Sequence, residues 1–230
     1  MFNEIRDNIR RVEERIVAAC GRCGRRCEEI KLVAVSKTHP AESIRAAFEA
    51  GLRDFGENRI QEAQAKLPVL TDLAVTWHLI GHLQSNKARK ARELFRWVHS
   101  LDSLRVAEKL ALAASGDARL PVLIEVNLGG ETSKTGVRAS EAAALAEQIA
   151  QLEMLDLRGL TTIPPFQTNP EHVRPYFRQL RALAHEIDQR NLPNCSMREL
   201  SMGMSSDFEV AIEEGATMVR VGTAIFGVRR

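Results

Sequence analysis

The sequence lacks long hydrophobic runs and a strong excess of charge of either sign. No apolar stretch approaches the roughly 20 residues that a membrane-spanning helix needs, so no membrane partner is expected. Residues 1–6 are charged and contain no apolar core of a signal peptide. Lysine and arginine number 32 against 30 aspartates and glutamates, and this net charge of +2 does not favour nucleic acid as a partner. We therefore expect a soluble, cytoplasmic protein.

Cysteine is scarce: the chain has four, and three of them lie close together at Cys20, Cys23 and Cys27. This spacing could serve a metal or an iron–sulfur cluster, but a closed site needs a fourth ligand. Cys195 is far away in sequence and no histidine is near the three. Offsets of three and seven residues place the thiols along one face of a helix. The sequence thus favours a helical stripe over a metal site, and no disulfide is expected in a cytoplasmic protein.

Short apolar strands alternate with longer amphipathic segments, after a first helical segment from Phe2 to about Cys27. The predicted strands are Leu32–Ser36, Asp54–Glu57, Trp77–Gly81, Trp97–Leu101, Val122–Val126, Leu157–Ile163, Glu199–Met202 and Met218–Val221. The predicted helices between them are Ala41–Ala50, Ile60–Lys66, Asn86–Phe95, Ser103–Ala114, Ser140–Leu152, Val173–Arg190 and Phe208–Glu214. Gly51 and Gly215 each follow a helical pattern and precede a strand, which is typical of helix C-termini.

Eight strands with intervening helices in about 200 residues is the count of a (β/α)8 barrel. A doubly wound open sheet is the alternative, but it usually needs fewer strands for this length. With 44% hydrophobic residues, the 230-residue chain can bury a full core, and we find no linker or low-complexity segment that divides it. We predict a single (β/α)8 TIM-barrel domain over residues 1–230, with the first helix as an addition.

The first predicted strand ends in a lysine. The apolar run Val33-Ala34-Val35-Ser36 is followed by Lys37, and Pro40 opens the next helix. The C-terminal ends of barrel strands form the active face, so Lys37 should lie on it. Burial there would lower the pKa of the amine and make it nucleophilic, able to form an imine with a carbonyl compound. The alternative is a surface lysine just past a strand, which is where most lysines lie.

Hydroxyl groups and glycines follow the last two predicted strands. Ser201, Gly203 and Ser205 mark the end of the seventh strand, and Gly222 and Thr223 follow the eighth. In TIM barrels this pair of loops commonly binds a phosphate at the N-terminus of a short helix. Glycines that merely make turns would explain either loop alone, but two loops in these positions favour a phosphate.

Arg220 lies within the apolar eighth strand and alternates with its neighbours, so it should point into the barrel. An unpaired buried guanidinium is costly, so Arg220 must be paired, for example with Glu57 or Glu125, or used by a ligand. A strand-end lysine, a phosphate site and an inward arginine together suggest pyridoxal 5′-phosphate (PLP), with the arginine at the pyridine nitrogen. A guanidinium cannot accept a proton, so it would leave that nitrogen unprotonated and the ring a weaker electron sink.

Five segments look like the signatures of one known family. They are Val33-Ala34-Val35-Ser36-Lys37, Phe55-Gly56-Glu57-Asn58, Trp77-His78-Leu79-Ile80-Gly81-His82-Leu83-Gln84-Ser85-Asn86-Lys87, Leu200-Ser201-Met202-Gly203-Met204-Ser205 and Val219-Arg220-Val221-Gly222-Thr223-Ala224-Ile225-Phe226-Gly227. On these motifs the chain closely resembles the pyridoxal phosphate homeostasis proteins, also called the YggS or PROSC family, from about residue 5 to residue 228. The segment 159–165 departs from the pattern, because the family usually has a methionine-containing loop there.

The resemblance implies a barrel like the N-terminal domain of alanine racemase. It also implies a role in keeping intracellular vitamin B6 in balance, with effects on amino acid and keto acid pools. Lys37 would hold PLP as an imine, and apo forms of PLP-dependent enzymes are conceivable partners. The cofactor-binding residues implied by the matching are Lys37, Asn58, Ser201, Arg220, Gly222 and Thr223. Among these, Ser201, Gly222 and Thr223 would hold the phosphate, Arg220 would face the pyridine nitrogen and Asn58 would lie beside the ring.

The main alternative is a PLP-dependent amino acid racemase of the alanine racemase type. Racemisation needs two bases on opposite faces of the ring, and in alanine racemase the second is a tyrosine from a separate β domain of the partner subunit. The only tyrosine here, Tyr176, falls near the start of a predicted outer helix. We therefore predict a PLP-binding protein with no catalytic residues, and without that β domain a monomer is the simpler expectation.

Three histidines, His39, His78 and His82, remain conceivable bases. His78 lies within a strand, where a hydrogen-bonded core histidine is the commoner arrangement. A lysine-imine aldolase without cofactor is a third possibility, but it would leave Arg220 and the two phosphate-type loops unexplained.

Overall fold

Eight parallel strands close into a barrel in the computed structural model, which describes residues 2–131 and 135–227. Together with one short outer strand, the described residues form nine strands: β1 (Lys31–Val35), β2 (Asp54–Glu57), β3 (Thr76–Leu79), β4 (Trp97–Leu101), β5 (Leu120–Asn127), β6 (Val137–Arg138), β7 (Leu155–Thr161), β8 (Cys195–Ser201) and β9 (Met218–Val221). The ring runs β1–β2–β3–β4–β5–β7–β8–β9 and returns to β1, while the two-residue β6 pairs with β5 outside it. The predicted TIM barrel is confirmed.

Helices alternate with these strands and cover the outside of the barrel. They are α1 (Phe2–Cys23), α2 (Ala41–Glu49), α3 (Ile60–Lys66), α4 (Ala88–Leu94), α5 (Leu104–Leu112), α6 (Ala139–Ile149), α7 (Arg174–Asp188), α8 (Phe208–Glu213) and α9 (Thr223–Phe226). Gly51 and Gly215 follow α2 and α8 with φ of 109° and 102°, a conformation that glycine adopts without steric cost. None of the helices in the described ranges is long and apolar enough to cross a membrane.

Helix α1 packs against α2, α8 and α9 through a stripe of buried residues that includes Ile5, Ile9, Val12 and Ile16. Spacings of three and four place these side chains on one face, so the helix is amphipathic. Its polar side reaches α8, where Arg15 and Arg22 both contact Glu209. The extra N-terminal helix predicted from the sequence is therefore part of the barrel's outer layer.

The predicted end of the first helix is wrong. Helix α1 ends at Cys23, because Gly24 has a φ of 68°, and Cys27 lies in a separate 3₁₀ turn. The three cysteines therefore do not share one helix, although Cys20 still contacts Cys27, and burial raises the pKa of the Cys20 thiol to about 11. Among residues 2–131 and 135–227, no cluster of three or more histidine, cysteine, aspartate or glutamate side chains is arranged to hold a metal.

Strand boundaries differ from the prediction mainly at the starts of β5, β7 and β8, which begin two to four residues earlier than the apolar runs suggested. The early residues of these strands include polar or half-exposed positions, which periodicity alone does not mark as strand. The C-terminal ends agree more closely, so the end of the barrel that carries the polar loops was placed correctly. Parallel pairing sets Val33 of β1 beside Arg220 of β9.

Candidate functional site

A cavity of about 420 Å³ opens at the C-terminal ends of the barrel strands. Its lining residues are Val35, Lys37, His39, Asn58, Ile80, Ile163, Met204, Ser205, Ser206, Arg220, Gly222, Thr223 and Gly227. The volume lies within the range of small-molecule sites, and the wall combines apolar side chains with a few polar groups. Five of the six predicted cofactor-binding residues line this cavity; Ser201 does not.

Lys37 lies in the turn that follows β1 and is half-buried in the cavity wall rather than exposed on the surface. The next residue, Thr38, has a φ of 66°, which is unusual for a residue with a branched side chain. The carboxylate of Glu62 on α3 accepts the Thr38 N–H at 2.7 Å and holds this conformation in place. The turn that presents the amine is therefore fixed by a contact from the neighbouring helix.

A buried ion pair lies beneath the same turn. The ammonium of Lys66 is 2.6 Å from Glu57 Oε1 and donates to the Ser36 carbonyl at 2.8 Å, while Ser36 Oγ donates to the same carboxylate oxygen at 2.7 Å. Glu57 is fully buried, and burial raises the pKa of its carboxyl despite these partners. These contacts fix Ser36, the residue before Lys37, and Glu62 fixes Thr38, the residue after it.

Arg220 points into the barrel, as its alternation within β9 predicted, and reaches the cavity floor. Its Nη1 donates to Thr161 Oγ1 (2.9 Å), Ser201 O (2.5 Å) and Ser201 Oγ (2.6 Å), and its Nη2 donates to Thr162 O (2.9 Å). Within the described residues it forms no ion pair with Glu57 or Glu125, so the neutral β7 and β8 groups are its partners instead.

The hydrogens of the guanidinium can be counted. Both Nη1 hydrogens and one Nη2 hydrogen are used by the barrel wall, so one Nη2 hydrogen and the Nε–H have no acceptor among the described residues. Burial lowers the pKa of Arg220 to about 10, against the attraction of Glu125 and Asp207, so the group remains a cation at neutral pH. Arg220 therefore offers the cavity hydrogen-bond donors and no acceptor.

Ser201 lies outside the cavity wall, and its contact with a phosphate stays a prediction. Its side chain is fully buried and lies against Arg220 and His99, with Oγ 2.9 Å from His99 Nδ1. As the last residue of β8 it points into the barrel, below the cavity, whereas the loop that follows brings Ser205 and Ser206 to the wall. Ser205, from the loop that was expected to bring hydroxyl groups to this end of the barrel, is the predicted loop's serine that lines the cavity.

The loops after β8 and β9 meet in the wall of the cavity. Ser205 Oγ accepts the Ala224 N–H at 3.2 Å and so joins the β8 loop to the first turn of α9. A Cβ at Gly222 would lie 3.2 Å from Val35 O and 3.3 Å from Val35 Cβ, so a side chain there would crowd the wall beside Lys37. Gly222 and Thr223 both line the cavity.

The histidines separate into three settings. His78 is a hydrogen-bonded core residue, as predicted, because its ring nitrogens contact His99 and Asp54. His82 is half-exposed and lies 3.1 Å from Asp102. His39 lines the cavity and packs against Phe226, with ring centroids 5.0 Å apart. Sequence reasoning missed His99, which lies in β4 with no motif around it.

Comparison with known proteins identifies the family. The profile described as "Alanine racemase, N-terminal domain" matches residues 3–230. The chain belongs to the alanine racemase N-terminal domain family. Within it, a protein of Aquifex aeolicus named pyridoxal phosphate homeostasis protein is 46% identical over 97% of this chain and 98% of its own length. One of the same name from Pseudomonas aeruginosa is 46% identical over 99% and 97%.

Solved structures of this family share the architecture. PipY of Synechococcus elongatus PCC7942, solved with PLP bound, has 46% identity and a TM-score of 0.80, covering 86% of this chain and 93% of PipY. An alanine racemase of Clostridium difficile has 16% identity and a TM-score of 0.74, and the match covers 57% of that longer chain. The likeness to the racemase shows the shared fold alone. Tyr176, in the first turn of α7, does not line the cavity.

Proposed function

We propose that this protein binds PLP through Lys37 and takes part in the homeostasis of intracellular PLP. The observation that carries the proposal is the meeting of Lys37 and Arg220 in one cavity, with two loops rich in hydroxyl and backbone donors at its edge. Relatives that carry the homeostasis name align over nearly the whole chain, and PipY is a relative that binds PLP.

The residues present fit the cofactor. PLP, when bound, supplies an aldehyde that reacts with an amine and a ring that withdraws electrons. Lys37 provides the amine, and the loops of Ser205, Gly222 and Thr223 provide hydroxyl groups and backbone N–H groups for the phosphate. Asn58 lies in the wall of the same cavity. The remaining donors of Arg220 suit the pyridine nitrogen, which is a hydrogen-bond acceptor when unprotonated.

The same geometry favours storage over turnover. Arg220 stays cationic and cannot donate a full proton at neutral pH, so the ring nitrogen remains unprotonated and the ring a weak electron sink. No tyrosine lines the cavity among the described residues, and His39 is engaged with Phe226. We propose that the protein carries PLP without racemase activity and delivers it to apo forms of PLP-dependent enzymes.

Absorbance spectroscopy of the purified protein after addition of PLP tests the binding step. We expect a visible imine band that is lost in Lys37→Ala and is retained in Lys87→Ala, a control that removes a half-buried lysine outside the cavity. Reduction with borohydride followed by peptide mass analysis should place the cofactor on Lys37. A wild-type protein that stays colourless, or a reduced adduct on another lysine, would refute the proposal.

Two further assays test the absence of turnover and the delivery. Incubation of the PLP-loaded protein with L-alanine in deuterated water should give no sustained exchange at Cα and no D-alanine. Mixing it with an apo PLP-dependent enzyme should restore that enzyme's activity faster than the same concentration of Lys37→Ala protein pre-incubated with PLP. Sustained exchange would instead make the protein a racemase.

A further inference from the structure

The barrel interior contains a continuous line of hydrogen bonds that ends at Arg220. Asp54 Oδ1 is 2.8 Å from His78 Nε2, and His78 Nδ1 is 2.9 Å from His99 Nε2. His99 Nδ1 is 2.9 Å from Ser201 Oγ, which accepts a bond from Arg220 Nη1 at 2.6 Å. The line thus crosses the barrel from the start of β2 to the cavity floor, through strands β3, β4 and β8.

The two ends of this line determine its direction. A guanidinium can only donate, and an ionised carboxylate can only accept. Ser201 Oγ therefore accepts from Arg220 and uses its own hydrogen for His99 Nδ1. A neutral His99 must then carry its hydrogen on Nε2 and donate to His78 Nδ1, which leaves the His78 hydrogen on Nε2 for Asp54. From Ser201 to Asp54 every hydrogen of the line has one acceptor, and both rings are the same tautomer.

The surrounding charges maintain this arrangement near neutral pH. Burial lowers the pKa of His78, and it lowers the pKa of His99 further, with added repulsion from His78 and Arg220. Burial raises the pKa of Asp54, but the hydrogen bond from His78 and the nearby ammonium of Lys31 outweigh it and keep the carboxyl ionised. At the opposite end, Glu125 and Asp207 are the acidic groups that act on Arg220.

We propose that Asp54, His78 and His99 are positioning residues, which fix Ser201 as a hydrogen-bond acceptor for Arg220 and thereby direct the remaining N–H groups of the guanidinium into the cavity. The role toward the pyridine nitrogen rests on the proposed binding of PLP; the direction of the hydrogen-bond chain does not. Asp54 lies at the end of the hydrogen-bond line that is farthest from the cavity, and it is partly exposed. A substitution there therefore acts on the cavity without touching its wall.

NMR of the cofactor-free protein, labelled with ¹⁵N in its histidines, tests the direction of the chain. At pH 7.5 we expect His78 and His99 both as neutral rings with the hydrogen on Nε2, against the mixed tautomers normal for an exposed ring such as His172. A hydrogen on Nδ1 of either buried ring, or a doubly protonated ring, would overturn the proposal. This measurement needs neither PLP nor a variant that folds.

The effect on the cavity is tested with Asp54→Asn, which removes the charge and keeps an acceptor of the same shape. We expect about tenfold weaker PLP binding, the cost of disturbing one hydrogen bond to a charged group, and a shifted visible band. The matched control is Asp102→Asn, which removes the carboxylate that pairs with the half-exposed His82 and should change neither. Equal effects of the two substitutions would overturn the positioning role.

The outcomes separate the two proposals. The expected tautomers together with a wild-type protein that binds no PLP would support the hydrogen-bond chain and refute the proposed function. A normal visible band together with an Nδ1–H ring would refute the chain and leave PLP binding intact.

Discussion

Replacing Lys66 by methionine tests whether the buried ion pair beneath the Lys37 turn stabilises the fold. The substitution keeps the length of the side chain and removes its charge, so Glu57 stays buried without its cation. Two hydrogen-bonding partners are affected at once, because Lys66 also donates to the Ser36 carbonyl. Ser36 Oγ is then the remaining donor to Glu57.

The magnitude follows from burial. Two unit charges 2.6 Å apart attract by about 6 kcal/mol at an effective dielectric constant of about 20, which offsets a desolvation cost of several kcal/mol for each ion. The intact pair therefore contributes little net stability, but the removal of one partner leaves the desolvation cost of the other. We expect Lys66→Met to lower the free energy of unfolding by about 3–5 kcal/mol.

The loss should depend on pH. With its cation gone, Glu57 has a carboxyl pKa raised further by burial, so between its ordinary value of 4.5 and the raised value the folded state binds more protons than the unfolded state. Stability then falls as the pH rises through that interval, by up to about 1.4 kcal/mol per pH unit. The destabilisation by Lys66→Met should accordingly be smaller at pH 5 than at pH 8.

Urea denaturation provides the measurement, in a double-mutant cycle with Glu57→Gln, whose amide oxygen still accepts from Ser36. The matched control is Lys90→Met, because the Lys90–Glu93 pair has a similar separation of 2.8 Å but nearly half-exposed side chains. That control should leave the free energy of unfolding nearly unchanged, because exposed ion pairs contribute little. Equal losses for the two lysines, or effects of Lys66→Met and Glu57→Gln that add within about 0.5 kcal/mol, would refute the reasoning.

Two other predictions concern stability. Gly159→Ala should lower the free energy of unfolding by at least about 2–3 kcal/mol in urea denaturation, because its Cβ would lie 1.8 Å from a β8 carbonyl oxygen. Gly21→Ala, in open space on α1, should instead raise it by about 0.5–1 kcal/mol. A tolerated Gly159→Ala would contradict the close approach of β7 and β8. Burial lowers the pKa of His78 and His99, so below the ordinary value of 6.5 the unfolded state binds more protons than the folded state. The free energy of unfolding should therefore fall as the pH drops toward 5, by up to about 1.4 kcal/mol per pH unit for each ring. A pH slope that is unchanged in His99→Gln would contradict this account.

Sequence periodicity predicted the barrel because each strand and helix has its own apolar pattern, and the closure of β9 onto β1 follows from their number. It also predicted which residues meet at the cavity, since parallel strands bring all their C-terminal ends to one side. Arg220 was placed inside the barrel by alternation alone. These inferences depend on local order along the chain and on a general rule of the fold.

The partners of buried polar groups could not be predicted in this way. A carboxylate partner, Glu57 or Glu125, was one of the two alternatives considered for Arg220. The arginine instead bonds to Thr161, Thr162 and Ser201, which lie 19 to 59 positions away in sequence. The choice between Ser201 and Ser205 depends on where β8 ends and the loop turns outward, a matter of one or two residues. His99 carries no local sequence signal, because its role comes from its contacts with His78 and Ser201, which lie elsewhere in the sequence.

Helix α1 joins distant parts of the described chain, since Asn8 donates to the Ile225 carbonyl at 2.8 Å, 217 positions away. Lys37 leaves the ribosome early, whereas Arg220 and the loops after β8 and β9 leave late. A growing chain therefore carries Lys37 for most of its synthesis without the other residues of the proposed PLP site. Ring closure is the event that completes the cavity, so retention of PLP at the proposed site would require the whole barrel to have folded.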